Sequence, residues 1–519
     1  MQRWGRFAIG CCVVLTVGCG RVSGPVRAAW SRVTDDRTTL PLAALASPLV
    51  TATAATAAET GPTAPTSTAR LVRRHPSGRR VPPASSVPVE RPLADLLPGS
   101  RRIDEPAVVY LHPRADAPAL GLLAAGTHVG VFAVDPAESD AEACEHGQWL
   151  SVAPRGWVCA PTQTSSRKPS TQLLPRVPKR GTTPGTYGKV RDGAPIYASR
   201  NDAAMGLPPS APDGSLTVQR LGTETIDGVK YWRTRSGLIP ARDVRRHNPS
   251  RFVGVSLRED THALPVAWTL APATSERSSV PVYAEARRRS RVVKRLPART
   301  LVVVSEEKDG FASTPYGWID RHDLRIARAA DVPPTLQDGE SWIDIDLDAQ
   351  VLVAYEGTEP VYATLISSGK VNHRTPTGVF RIERKIAERT MNSMADSDET
   401  YRVAKVPWTA YFARGYALHA AYWHNGFGRA RSHGCVNLAP RDARALYDWM
   451  VPAAAPGWSE SYGHVDQPGT LVRVRSRKDP TPPVKGYARA WLPEGLDELD
   501  EEVDTAVAVA DTEPLNQTG

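Results

Sequence analysis

Residues 342–356 read Trp-Ile-Asp-Ile-Asp-Leu-Asp-Ala-Gln-Val-Leu-Val-Ala-Tyr-Glu. Apolar and polar positions alternate on both sides of a break near Asp348, the period of two that a strand with one buried face requires. The stretch predicts a β-hairpin. Working outward, Val361–Gly369 (VYATLISSG) follows as a third strand, and Thr375-Pro376-Thr377-Gly378 is a turn into a further strand, VFRI. TLVRVRS, near residue 474, is a final strand. One helix is expected, because Ala443, Leu446, Tyr447 and Met450 share one face at helical spacing and Pro440 suits the first turn. Residues 340–478 are thus a mainly β domain with a short helix.

Just before that helix stands Ser432-His433-Gly434-Cys435-Val436-Asn437, and His419 lies sixteen residues before the cysteine. A thiol is a strong nucleophile near neutral pH only as thiolate, so the chemistry needs an imidazole nearby to take its proton. Both His433 and His419 are candidates: i and i+2 side chains share a face of a strand, and His419 can reach from a neighbouring strand. Gly434 allows a close turn whose backbone N–H groups could hold an oxyanion.

On these residues the stretch from 342 to about 476 resembles the L,D-transpeptidase (YkuD-type) catalytic domain, a β-sandwich with a short helix after the catalytic cysteine. The resemblance implies Cys435 as acyl-accepting nucleophile and His419 as proton acceptor and donor. The carbonyl of Ala420 would orient the imidazole, and His433, Gly434 and the Cys435 amide would shape the oxyanion site. Trp408, Tyr411 and Tyr422 would line the substrate cleft, with Ser432 and Asn437 also on the substrate side. The implied reaction is attack on a peptidoglycan tetrapeptide stem, release of D-Ala, and resolution of the thioester by a second stem to give a 3-3 cross-link. Water as acceptor would make the same site an L,D-carboxypeptidase. No cofactor or metal is implied. Two other chemistries compete: zinc held by His419, His424, His433 and Cys435, and a papain-like amidase, in which the cysteine would precede its histidine. A non-enzymatic peptidoglycan-binding protein is the remaining alternative.

Upstream, VVYLHPRAD around Tyr110, PIYASRND around Tyr197 and PVYAEARRR around Tyr283 recur 87 and 86 residues apart. Two of these units close on Gly-Trp-hydrophobic, at Gly156-Trp157-Val158 and Gly317-Trp318-Ile319, whereas the middle one has SGLIPARDV there. The third unit resembles a bacterial SH3-like module. The expected organisation is SH3-like barrels at 104–165 and 265–330, with a divergent one at 185–250.

The ends point outside the cytoplasm. Arg3 and Arg6 precede an apolar run from Phe7 to Gly18 that stops at Cys19, the layout of an export signal. Leu15-Thr16-Val17-Gly18-Cys19 resembles a lipoprotein box, which implies lipidation at Cys19 and a membrane-anchored periplasmic protein. Residues 20–103, rich in Ala, Thr, Pro, Ser and Arg without an apolar period, read as a disordered tether, and 495–519 as a disordered acidic tail. In an oxidising compartment Cys144 and Cys159, which flank a hairpin-like stretch, are expected to pair, leaving Cys435 as the unassigned thiol.

Composition sets the outer bounds. Of 519 residues 41% are hydrophobic, enough for a packed core, and the net charge of +9 is modest. No nucleic-acid motif accompanies that charge, so no nucleic-acid partner is expected. After the leader no apolar run reaches the length that crosses a bilayer, which excludes a polytopic membrane protein.

Overall fold

A computed structural model describes residues 99–132, 144, 147–160, 164–165, 167–207, 214–258, 262–270, 279–393, 400–464 and 467–492. The expected leader with Cys19, the tether up to residue 98 and the acidic tail lie outside the described residues. Among the described residues no helix is long and apolar enough to cross a membrane.

The hairpin forms where the alternation places it: β1 (Ser341–Asp346) pairs antiparallel with β2 (Val351–Glu356), Ile343 opposite Ala354 and Ile345 opposite Leu352. β2 pairs with β3 (Glu359–Ser367), whose end turns from this sheet into a second one. The first sheet runs β3-β2-β1-β10-β4, with β4 at Gly378–Arg381 and β10 at Leu471–Arg475. The second contains β5 (Arg384–Asn392), β6 (Tyr401–Ala413), β7 (Tyr416–Ala420), β8 (Val436–Leu438) and β9 (Trp458–Tyr462), in the order β9-β5-β6-β7-β8. Helix α1 (Pro440–Trp449) starts at the predicted proline and packs Ala443, Leu446 and Tyr447 into the core. Ile345, Leu352, Phe412, Leu418, Val436 and Val472 meet there from the two sheets. Burying each such side chain contributes roughly 1.5–3 kcal/mol.

Upstream, three small β units repeat one plan. Tyr110 pairs with Trp157, Tyr197 with Leu238, and Tyr283 with Trp318. Before each partner stands a glycine at positive φ: Gly156 (89°), Gly237 (122°) and Gly317 (122°). A Cβ on these glycines would lie 2.9, 2.4 and 2.8 Å from the carbonyl oxygens of Tyr110, Tyr197 and Tyr283. That close approach, not the tryptophan, is what the plan needs. The middle unit therefore keeps it with Leu238 in the tryptophan's place. Each tyrosine also meets a second aromatic edge-on, Trp149, Tyr231 and Phe311, with centroids 5.7, 5.9 and 5.8 Å apart. Cys144 and Cys159 are joined, with Cα atoms 5.6 Å apart.

The first unit begins earlier than the sequence suggests. Ser100–Arg102 is a strand paired with His128–Val129 and Thr164–Ser165, and Ile103 is buried in the unit's core. Residues 99–103 therefore belong to the fold and not to the tether. The Arg-rich composition hides this, because a short edge strand needs only one buried side in a few residues.

The units are built onto the 340–478 segment. Ala119–Leu123 of the first adds antiparallel to β9, Gly121 opposite Ser461. Ser215–Thr217 of the second pairs parallel with Tyr401–Val403 at the start of β6. Val255–Ser256 adds to β3, and Trp268 of the third unit is buried with Trp342, Tyr355 and Phe427. Open sheet edges are thereby covered.

Candidate active site

β7 and β8 are neighbours in parallel, and their pairing brings the distant motif residues together: Leu418 lies opposite Val436 and His419 opposite Asn437. Paired residues project to the same side of a sheet, and Cys435 is two positions before Asn437. His419 and Asn437 therefore belong to one face, and Cys435 leads into that strand from the bend at 433–435. Cys435 sits just ahead of β8, half-buried and not disulfide-bonded.

The loop carrying the cysteine is stitched in place on three sides. Gly428 N–H donates to Ile366 (2.7 Å), and Arg431 and Ser432 N–H both donate to the Ser368 carbonyl (2.8 and 3.0 Å). Ser368 is itself held by Gln350 from the β1–β2 hairpin, which donates from Nε2 to Ser368 Oγ (2.6 Å) and accepts from Ser368 N–H (3.0 Å). Thr375 Oγ1, in the predicted turn, donates to the Gly434 carbonyl at 2.6 Å and accepts from Gly369 N–H at 3.0 Å. Ser432 Oγ accepts from Gly434 N–H (3.1 Å) and donates to the Cys435 carbonyl. Gly434 has φ of 120°, and a Cβ there would come 2.6 Å from the Tyr416 ring.

Electrostatics make the resting pair neutral. Burial pushes the Cys435 thiol up to about 11, opposed by a hydrogen bond from Ala417 N–H. Its Sγ lies 3.7 Å from the Gly415 carbonyl oxygen, within reach of an S–H donor. Burial lowers His419 to about 4, opposed by the Ala420 carbonyl. His419 Nδ1 lies 3.2 Å from that carbonyl oxygen. A carbonyl only accepts, so Nδ1 carries the proton and Nε2 is the free base. Desolvation disfavours both charged forms.

The remaining expected site residues divide. Tyr411 is half-buried, with Arg384 and Arg389 over its ring at 5.4 and 5.8 Å, and a Cys435 thiolate would raise its phenol further. His433 is partly exposed beside Cys435, flanked by the rings of His373 (4.7 Å) and Tyr401 (5.1 Å). Trp408 and Tyr422 do not line an open cleft. Trp408 is buried in the core between the sheets, and Tyr422 stacks on Tyr187 of the second unit, centroids 3.9 Å apart. Ser432 is a brace inside the loop, and Gly434 offers its backbone conformation, its N–H being taken by Ser432. Asn437 is buried against His424 (2.9 Å). Tyr401, His373 and Trp423, the last with its ring 5.8 Å from His419, escaped the sequence reading. Nothing local marks them, since β6 and the loops after β3 and β7 converge only in the fold. Among the described residues no three of His, Cys, Asp or Glu are grouped so that they could hold one metal ion.

Comparison with known proteins shows what this segment is similar to. Residues 340–474 match the YkuD family model, described as the L,D-transpeptidase catalytic domain. The chain is 30% identical over 142 residues to the probable L,D-transpeptidase YbiS of Escherichia coli K12, covering 24% of this chain and 45% of YbiS. It is 25% identical over 144 residues to the putative L,D-transpeptidase YciB of Bacillus subtilis, covering 22% of this chain and 63% of YciB. The chain thus spans about half the length of the curated relatives it matches. Among solved structures, the catalytic domain of the Enterococcus faecium L,D-transpeptidase aligns at 24% identity and a TM-score of 0.21, covering 26% of this chain and 98% of that one. Residues 340–474 of this chain are an L,D-transpeptidase catalytic domain, a member of a cysteine enzyme family.

Proposed function

We propose that this protein is a peptidoglycan L,D-transpeptidase in which Cys435 takes the acyl group of a tetrapeptide stem. The observation that carries the reading is the parallel β7–β8 register, which sets His419, its Nδ1 held by the Ala420 carbonyl, beside the strand that Cys435 leads into. As sulfur attacks the peptide carbonyl, His419 Nε2 accepts the thiol proton and the Ala420 carbonyl holds the imidazolium that forms. The Cys435 amide and His433 face the developing oxyanion. The imidazolium then protonates the leaving D-Ala amine, giving the thioester. An amine from a second stem attacks it, His419 takes the amine proton, and the thiol is released with a 3-3 cross-link formed. A water in place of the amine would yield the trimmed stem instead.

The surrounding parts fit a wall enzyme. The three repeated units are read as SH3-like modules, two regular and one divergent, and the leader as an export signal with lipidation at Cys19. On that reading the enzyme works in the periplasm on a membrane, acting on stem peptides. Muropeptide analysis tests the reading: incubation with tetrapeptide-bearing peptidoglycan should yield 3-3 dimers and free D-Ala. Release of D-Ala without dimers would make it a carboxypeptidase, and no change in muropeptides would leave only wall binding.

A further inference from the structure

Arg384, in β5, stands directly opposite Tyr411 in β6, and Tyr411 stands opposite Ala417 in β7. Paired residues share a side of a sheet, and Ala417 and His419, two positions apart, share it too. That side faces away from the core between the sheets, which Ala410, Phe412, Leu418 and Ala420 fill from the other. The row runs to the nucleophile, because the Ala417 N–H bonds the Cys435 sulfur. Arg384 and Tyr411 therefore lie on the face that carries His419.

Two guanidinium groups converge on the Tyr411 ring, Arg384 at 5.4 Å and Arg389 at 5.8 Å. A guanidinium set against an aromatic ring keeps its fork of N–H donors available for a planar anion. Among the described residues neither arginine forms an ion pair. Two acids stand close by without closing one. Glu460 accepts from the Tyr462 hydroxyl at 3.0 Å, and Glu383 is pushed up by burial, against the pull of Arg384. Burial raises the Tyr411 phenol; Arg389 opposes that rise, a Cys435 thiolate would add to it, Arg384 opposes it and Glu460 adds to it. Phenol, thiol and both guanidinium groups thus share one neighbourhood. It is open to a ligand, since Arg389 is exposed and Arg384, Tyr411 and Cys435 are half-buried.

We propose that Arg384 and Arg389, braced on Tyr411, form a carboxylate subsite of the thiol cleft that takes a free carboxylate of the acyl donor. The proposal rests on the acyl-transfer reading above and adds to it a requirement on the donor. One fork binds the carboxylate through charge-assisted N–H bonds, and the second guanidinium strengthens the attraction. Two sources carry that chemistry: the terminal carboxylate of the leaving residue and a carboxylate on the acyl part of the stem.

The test uses the full chain and three synthetic tetrapeptide stems: the free acid, the stem with its C-terminal carboxyl converted to an amide, and the stem with the carboxyls of its acyl part converted to amides. Release of the terminal residue is followed by mass. On the wild-type chain one amidated stem should show a KM raised about tenfold, the equivalent of one hydrogen bond to a charged group. Which stem responds identifies the source. In the double variant Arg384→Gln/Arg389→Gln the KM of the free acid should rise to that of the responding amide, whose own KM should stay where it was, and kcat for the free acid should change less than KM. Equal KM values for the three stems on the wild-type chain overturn the subsite, and that comparison needs no variant to fold. A double variant that leaves the KM of the free acid unchanged, or that weakens acid and amide alike, also overturns it while acyl transfer stands. No release from any stem overturns the acyl-transfer reading and the subsite with it.

Discussion

His419 is tied to its own neighbour: Nδ1–H is donated to the carbonyl of Ala420, 3.2 Å away, in a strand paired with the one that follows Cys435. The contact costs no side chain and fixes both tautomer and ring orientation, so any residue at 420 can serve. What it leaves is a base that waits uncharged for a thiol that waits protonated.

The first prediction follows from that neutrality. With the thiol near 11, the thiolate fraction rises tenfold per pH unit below that value. Iodoacetamide alkylation of Cys435, followed by mass, should be slow at pH 7 and climb steadily to about pH 11. A preformed thiolate–imidazolium pair would instead give alkylation that is flat from pH 5 to 9, with thiolate absorbance at 240 nm.

Gly434→Ala should disable the site. The residue occupies φ of 120°, and its new Cβ would strike Tyr416 at 2.6 Å. Strain of about 1–3 kcal/mol would be relieved by shifting the loop, which moves the sulfur. Carbapenem acylation should fall about a hundredfold, as small displacements of reacting atoms do. Near wild-type acylation with unchanged melting would refute the role given to this turn.

The third upstream unit should matter to chemistry it does not touch. Arg325→Ala removes the donor to Gly428, and Arg299→Ala the hold on Asn425. Hydrogen exchange at residues 424–428 should speed up in the double variant, and acylation should drop roughly three- to tenfold, the effect of one or two lost hydrogen bonds. Unchanged exchange there would mean that the unit is merely adjacent.

Much of the catalytic segment was legible because its signals are local. The alternation at 342–356, the turn at 375–378, the helix opened by Pro440 and the Ser-His-Gly-Cys loop each follow from a few consecutive residues. The aromatics were not. Trp408 and Tyr422 read equally well as cleft or core, and only the packing of two sheets, and of Tyr187 against Tyr422, decides for burial. Nor does any short motif announce that Ala119–Leu123 and Ser215–Thr217 complete the sheets of a domain hundreds of residues later. Such pairing uses backbone groups, which carry no signature in the side chains. The divergent middle unit shows the converse: Gly237 keeps the close approach in the fold although Leu238 stands where the other two units have tryptophan.

The central claim is that a single sulfur carries the acyl group. Intact-mass measurement after incubation with a carbapenem tests it most directly: one adduct on the wild-type chain, none on Cys435→Ala, and a greatly slowed adduct on His419→Ala are predicted. An adduct of equal extent on Cys435→Ala would contradict the account.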